Sequence, residues 1–102
     1  MPKVQSQAIY RLSKTLKENL PILTRQYKIN NLKFFGSYVR SEQKKGSDLD
    51  ILVDFKTPPT LLEFIELENR ISDLLGIKVD LVMKKALKPV IGKYIIREAI
   101  SI

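Results

Sequence analysis

Three aspartates stand in the two most strand-like stretches of this 102-residue chain: Asp48 and Asp50 in Ser47-Asp48-Leu49-Asp50-Ile51-Leu52-Val53, and Asp80 in Ile77-Lys78-Val79-Asp80-Leu81-Val82. Aspartate fits poorly on a pleated, half-buried surface, so carboxylates placed there need something to hold, and a cation is the natural partner. Asp48 and Asp50 are two apart and share one face of a strand, with Cα atoms about 6.5–7 Å apart at ~3.3 Å rise per residue. A neighbouring strand would bring Asp80 to a cross-strand distance of roughly 5 Å. Three carboxylates so close repel one another, and one or two divalent cations remove the repulsion. Two metals ~3.5–4 Å apart form the clamp used in in-line phosphoryl transfer. Asp54, at the strand's end beside Pro58-Pro59, is read as a turn residue.

A second group precedes the aspartates. Phe34-Phe35-Gly36-Ser37-Tyr38-Val39-Arg40 runs from an apolar stretch into a glycine and a serine. Glycine allows close approach of backbone to a phosphate, and a helix start offers unpaired N–H groups. The Ser37 hydroxyl adds a donor. Arg40, three residues on, falls on the same face as Ser37 and can clamp a phosphate through two N–H bonds. A Gly-Ser pair alone has almost no specificity; ahead of Asp48, Asp50 and Asp80 it is far more specific.

The composition narrows the chemistry by exclusion. The chain has no cysteine and no histidine, which removes disulfides, thiolate nucleophiles, the usual zinc sites and an imidazole base. Carboxylates, hydroxyls, lysines, arginines and a metal with oxygen ligands remain, and magnesium or manganese fits that set. The 18 Lys and Arg against 11 Asp and Glu give a net charge of +7, a balance that favours polyanionic partners or serves solubility alone. Lys44 and Lys45, and Lys84, Lys85 and Lys88, are read as solvated basic loops; Lys93, Arg97 and Glu98 are read as surface. The four tyrosines are not interleaved with basic residues as on a single-strand binding platform, although Tyr38 lies where it could flank a nucleotide. No apolar run approaches the ~20 residues that span a bilayer, and the start lacks the apolar stretch of a secretory signal. The expectation is a cytoplasmic protein with no membrane partner.

The elements that must position these residues follow from periodicity. Ile9, Leu12, Leu16, Leu20, Leu23 and Tyr27 recur at helical spacing and predict helix over 4–28, divided in two or kinked near residue 19 by Pro21. Asn30-Asn31 predicts a turn, Leu32–Phe35 a short strand, and Ser37–Ser41 one helical turn. Asp48–Phe55 alternates as a strand. Thr60 with Glu63 forms a capping box for a helix over Leu61–Leu75, which Gly76 stops. Ile77–Val82 is a third strand and Pro89–Ile100 a last helix. The helix 61–75 is read mainly as core-facing, with Leu62, Leu67 and Leu74 as candidates for a partner contact. The order predicts one domain over 1–102: an α/β (α+β) fold, a small mixed sheet with helices mainly on one face.

The pattern Gly36-Ser37-x-x-Arg40, Ser47-Asp48-x-Asp50-x-x-Val53 and Val79-Asp80-Leu81-Val82 resembles the minimal nucleotidyltransferase (MNT) family of the DNA polymerase beta-like superfamily, over roughly residues 20–100. The resemblance implies that Asp48, Asp50 and Asp80 are catalytic and bind magnesium, and that Gly36, Ser37, Arg40 and Ser47 bind the nucleotide. Where the family often has Ala-Arg-Gly, this chain has Val39-Arg40-Ser41. Small members of the family are antitoxins paired with a HEPN-family toxin, an RNase. The resemblance implies AMP transfer from ATP to a tyrosine hydroxyl of that toxin, as in type VII-like toxin–antitoxin systems. The expected cofactor is Mg²⁺, with Mn²⁺ as substitute; ATP is the substrate and homo- or hetero-oligomers are compatible. A chain of this length leaves no room for an acceptor domain, so the acceptor is expected on another molecule. Two other readings stand beside this one: a catalytically idle antitoxin that neutralises its partner by contact, and a basic nucleic-acid-binding module.

Overall fold

The computed structural model describes residues 7–102. In chain order they form α1 (Gln7–Tyr27), β1 (Ile29–Phe35), β2 (Leu49–Phe55), α2 (Leu61–Leu75), β3 (Val79–Met83), a short 3₁₀ turn (Lys84–Ala86), α3 (Pro89–Glu98) and β4 (Ile100–Ser101). The strands lie in the order β3-β2-β1-β4. β1 is antiparallel to β2 and to β4, while β2 and β3 are parallel. This is the mixed α/β sheet expected from the sequence.

α1 is one helix running through Pro21, not the two separate helices that were one of the expected forms; residues 4–6 of the predicted helix lie outside the described residues. A proline inside a helix costs about 3 kcal/mol. On either side of Pro21, Leu16 and Leu23 are fully buried, and each such burial stabilises by about 1.5–3 kcal/mol. The apolar stripe therefore outweighs the lost backbone bond. Pro21 itself is exposed, so its ring meets solvent and not the sheet.

Asn30-Asn31 is a strand with a bulge, not a turn: Ile29 opposes Phe55 while Asn31 opposes Asp54. The extra residue is absorbed by a side-chain bond, Asn30 Nδ2 donating to Asp54 Oδ2 at 3.1 Å, which accounts for Asp54. The reversal expected there is made two residues earlier, where Lys28 takes a left-handed φ of 55°. α2 begins and ends as predicted, with the Thr60–Glu63 capping box and Gly76 at φ 70°.

The main core gathers Leu16 and Leu23 of α1, Leu67 and Ile71 of α2, Phe34 of β1, and Leu49, Ile51 and Val53 of β2. Both long helices thus cover one face of the sheet, and they are tied together by Tyr27, whose hydroxyl donates to Glu66 Oε1 at 2.6 Å. Burial and Glu66 raise the Tyr27 pKa. Leu67 is core, as read; Leu74 only packs at its margin, and Leu62 is 79% exposed. Phe35 and Leu52 are buried outside that cluster. Alternation puts them on the opposite face, with Asp50.

Among the described residues, no helix is long and apolar enough to cross a membrane.

Candidate active site

Every element beside the aspartates is fixed by backbone pairing. Asp50 and Asp80 are direct partners in the parallel β2–β3 register, so their side chains leave adjacent strands on one face. β3 is an edge strand, and edges leave N–H groups open. Here α2 closes them: Val79 N–H donates to Ser72 Oγ at 3.0 Å and Leu81 N–H to Glu68 Oε2 at 2.8 Å. These two bonds flank Asp80 and hold its register. Asp48 precedes β2 rather than lying in it, but Leu49 N–H donates to Lys78 O at 2.9 Å, which aligns the β2 start with β3. Sequence reading passed over Glu68 and Ser72; polar residues four apart on the inner side of an amphipathic helix were the available signal.

Asp50 is the most perturbed acid. Its pKa is pushed up from 3.8 to about 6, first by burial, then by the charges of Asp80 and Asp48 and a hydrogen bond with Asp80, with Arg40 acting in opposition. The burial follows from the face it shares with Phe35, its direct partner on β1, and Leu52. Asp80 is exposed. Asp48 leans towards Lys78, Nζ to Oδ2 3.9 Å, with side chains 80% and 39% exposed; at such exposure the pair contributes little.

The donor set suits a hard divalent cation: three carboxylates, one carrying a proton affinity raised by its neighbours, which a cation would relieve. As they stand, no three acidic side chains among the described residues are gathered tightly enough to hold one ion. The structure thus joins Asp50 to Asp80 and keeps Asp48 within electrostatic reach, short of the closed cage that the spacing suggested.

β1 ends at Gly36, with a left-handed φ of 83°. A Cβ there would lie 2.1 Å from Asp50 Oδ2, so only glycine lets the turn lie against the carboxylate. The predicted helical turn is a tight turn of mixed bonds: Val39 and Arg40 N–H both donate to Gly36 O, at 3.0 and 3.2 Å, and Glu42 N–H donates to Ser37 O at 2.8 Å. The Ser37 hydroxyl has no protein partner among the described residues. Ser47 is otherwise engaged, its Oγ accepting from Lys44 N–H at 2.8 Å.

Arg40 is held by two carboxylates, Nε to Glu42 Oε1 at 3.0 Å and a terminal nitrogen to Glu98 Oε1 at 2.6 Å. Both raise its pKa, Glu98 the more. Glu98 is not the surface residue that the sequence suggests: it also accepts from Gly36 N–H, at 2.7 Å. A signal existed, because an acid in the last turn of a helix faces the negative end of the dipole and needs a cation.

The nucleotidyltransferase domain family matches residues 9–102. The chain belongs to that family. A protein adenylyltransferase of Thermococcus cleftensis, MntA, is 48% identical over 95 residues, covering 86% of this chain and 96% of its own. A Methanocaldococcus jannaschii relative, provisionally named protein adenylyltransferase MJ1217, is 47% identical over 92 residues, covering 89% and 94%. Among solved structures, a minimal nucleotidyltransferase superposes with a TM-score of 0.77 at 30% identity, covering 98% of this chain and all of that one. A toxin–antitoxin complex with AMP-PNP shares the fold at a TM-score of 0.69 and 24% identity, over 83% and 70%.

In this nucleotidyltransferase Lys78 and Arg40 lie near the carboxylates, while other basic residues cluster elsewhere. Lys84 and Lys85 border a 60 Å³ pocket with Val53 and Phe55, at the end of β2 far from Asp48. Lys17, Arg25, Lys28 and Lys56 line a 710 Å³ groove at that same far end. Tyr38 packs against the core and lines a pocket with Arg11 and Thr15 of α1.

Proposed function

We propose that this nucleotidyltransferase is a protein adenylyltransferase that moves AMP from ATP to a hydroxyl of a partner toxin. The observation that carries the reading is the pairing of Asp50 with Asp80 directly beside the Gly36 turn. In this reading Gly36 N–H, the Ser37 hydroxyl and Arg40 hold the triphosphate, with Ser47 shaping the loop before Asp48. Asp48, Asp50 and Asp80 would hold Mg²⁺, or Mn²⁺ in its place, which when bound neutralises charge on the phosphates. The acceptor oxygen attacks the α-phosphorus, the bond to pyrophosphate breaks, and exposed Asp80, with Asp50, takes the hydroxyl proton.

The relatives named as protein adenylyltransferases support AMP as the group transferred. Support for the partner comes from a structure sharing this fold at 22% identity and a TM-score of 0.59, a tri-AMPylated HEPN toxin of Shewanella oneidensis with its MNT antitoxin. The acceptor is then a tyrosine of a HEPN-family toxin, met in the cytoplasm, in a type VII-like toxin–antitoxin pair. The test is incubation with labelled ATP, Mg²⁺ and the product of the neighbouring gene. Label on that protein, lost in Asp48→Asn, is the expected result; no transfer, or transfer indifferent to Asp48→Asn, defeats the reading.

Exposed apolar residues favour a second reading, neutralisation by contact alone. Leu61 and Leu62 of α2 and Val90 and Tyr94 of α3 are each more than two-thirds exposed and open to a partner's contact. Under that reading the Asp48→Asn/Asp50→Asn double variant still suppresses the partner's toxicity.

A further inference from the structure

Glu98 ends α3 beside the Gly36 turn, where the helix dipole repels it. It is held there by donors from another part of the chain. Its Oε2 accepts from Gly36 N–H at 2.7 Å and its Oε1 from the Arg40 guanidinium at 2.6 Å. The side chain is only 24% exposed. Both bonds are short and charge-assisted, the stronger class of hydrogen bond. A backbone N–H at a left-handed glycine and a guanidinium are also the donors an anionic phosphate would take. A carboxylate offers them the same thing: two anionic oxygens on one atom.

We propose that Glu98 is an internal competitor for the triphosphate. It occupies Gly36 N–H and Arg40, and the nucleotide binds by displacing the carboxylate. This rests on the reading of the Gly36 turn as the triphosphate site. Three features of the structure fit displacement rather than permanent closure. The neighbouring Ser37 hydroxyl is left without a protein partner among the described residues, so one donor stays ready for an incoming phosphate. Arg40 keeps a second carboxylate, Glu42 at 3.0 Å, and its side chain is 47% exposed, so it can exchange Glu98 for a ligand without being stranded. The segment after Glu98 is lightly tied: β4 is two residues long and pairs with β1 only at Ser101↔Lys33 and Ile100↔Phe34.

A site whose donors are free only a fraction of the time binds its ligand more weakly by that fraction. If Glu98 holds them nine-tenths of the time or more, removing its charge tightens triphosphate binding about tenfold or more. The experiment is calorimetric titration of the full chain, in Mg²⁺, with a non-hydrolysable ATP analogue, with inorganic triphosphate and with adenosine. Wild type is compared with Glu98→Gln and Glu98→Ala. The glutamine retains an oxygen for Gly36 N–H and keeps the turn supported should the alanine variant fold poorly. Expected is a gain of about tenfold or more for the ATP analogue and for inorganic triphosphate, with adenosine unmoved. Unchanged or weaker triphosphate binding by a folded Glu98→Gln protein overturns the proposal, because a residue that merely supports the turn would give that result. A wild-type protein and variants that all fail to bind triphosphate overturn instead the reading of the turn, and this inference with it.

Discussion

Two glutamates perform the same local task at the two sides of the site. Glu68 of α2 accepts from Leu81 N–H at 2.8 Å beside Asp80, and Glu98 of α3 accepts from Gly36 N–H at 2.7 Å beside Asp50. Both are half-buried acids closing a strand's open donor. The difference lies in what surrounds them. Glu68 sits one residue from Leu67, fully buried in the core, and its helical neighbour Ser72 closes the next donor along the edge. Glu98 sits at a helix end and shares its carboxylate with Arg40, which also pairs with Glu42 and is 47% exposed. The same bond is therefore scaffold where the core backs it and site where it competes with a ligand. The scaffold side can be tested through stability, and the site side through chemistry.

The largest effect belongs to the site. Asp48→Asn and Asp80→Asn are each expected to cut AMP transfer by about a hundredfold or more, measured with labelled ATP and the partner protein. Asp80 is exposed and the Asp48 side chain is 39% exposed, so their melting curves should stay within about 0.5 kcal/mol of wild type. A large loss of stability in either would mean that the aspartates belong to the scaffold, and the division would fail.

On the scaffold side, Glu68→Ala leaves the Leu81 N–H without its acceptor. A part-buried orphan donor costs about 1–3 kcal/mol, and for a domain of this size each kcal/mol lowers Tm by about 4–8 °C. Glu68→Gln, which retains the acceptor, should restore most of it. If Glu68→Ala melts with wild type, the β3 edge is satisfied by water and Asp80 owes its position to the β2 pairing alone.

How much of this was legible in the sequence depends on the range of the force involved. Helix α2 was read to the residue because its capping box and terminal glycine are local. The strands that carry Asp50 and Asp80, and the face those two share, were legible because alternation and a cross-strand neighbour are short-range consequences of backbone geometry. Four features were not. Pro21 signals a break on local grounds, but the core contacts that override it come from β1 and α2. The bulge at Asn30 needs Asp54, and the role of Glu98 needs Gly36, 62 residues away. Charged residues on a helix surface look alike in sequence whether they meet solvent or a buried N–H. β4, two residues long, carries too little pattern to stand out from the end of α3.

Asp50 tests the boundary between the two regions, since it is both partly buried and charged. Its pKa is about 6 in the folded protein against 3.8 ordinarily. A group whose folded pKa is raised favours folding only when protonated. That contribution is complete below pH ~3.8 and is lost as pH climbs through about 6. Near pH 8, Asp50→Asn should therefore be more stable than wild type by about 1–2 kcal/mol, the full two-unit shift being discounted for solvent screening. The advantage should shrink towards zero at pH 4, followed by thermal melts across that range. Activity falls in the same variant, so stability and function part company at this residue. An Asp50→Asn protein that is less stable at pH 8 would show that the carboxylate is held by favourable contacts, contrary to the crowding described.

The smallest effect concerns the turn that links the carboxylates to Arg40. Ser41 takes a left-handed φ of 58°. That conformation costs a residue with a Cβ roughly 1–2 kcal/mol, while glycine loses about 0.5–1 kcal/mol more backbone entropy on folding. Ser41→Gly should thus stabilise by about 0.5–1 kcal/mol, read as a small rise in denaturation midpoint with unchanged slope. Lys28, with φ 55° at the opposite end of β1, is the natural control, since Lys28→Gly relieves the same conformation far from the carboxylates. If both glycines stabilise equally and only Ser41→Gly changes the apparent affinity for ATP, the left-handed residue in the turn bears on how Arg40 is presented. If neither stabilises, the strain assigned to these two positions is absent, and the left-handed residue has no bearing on how Arg40 is presented.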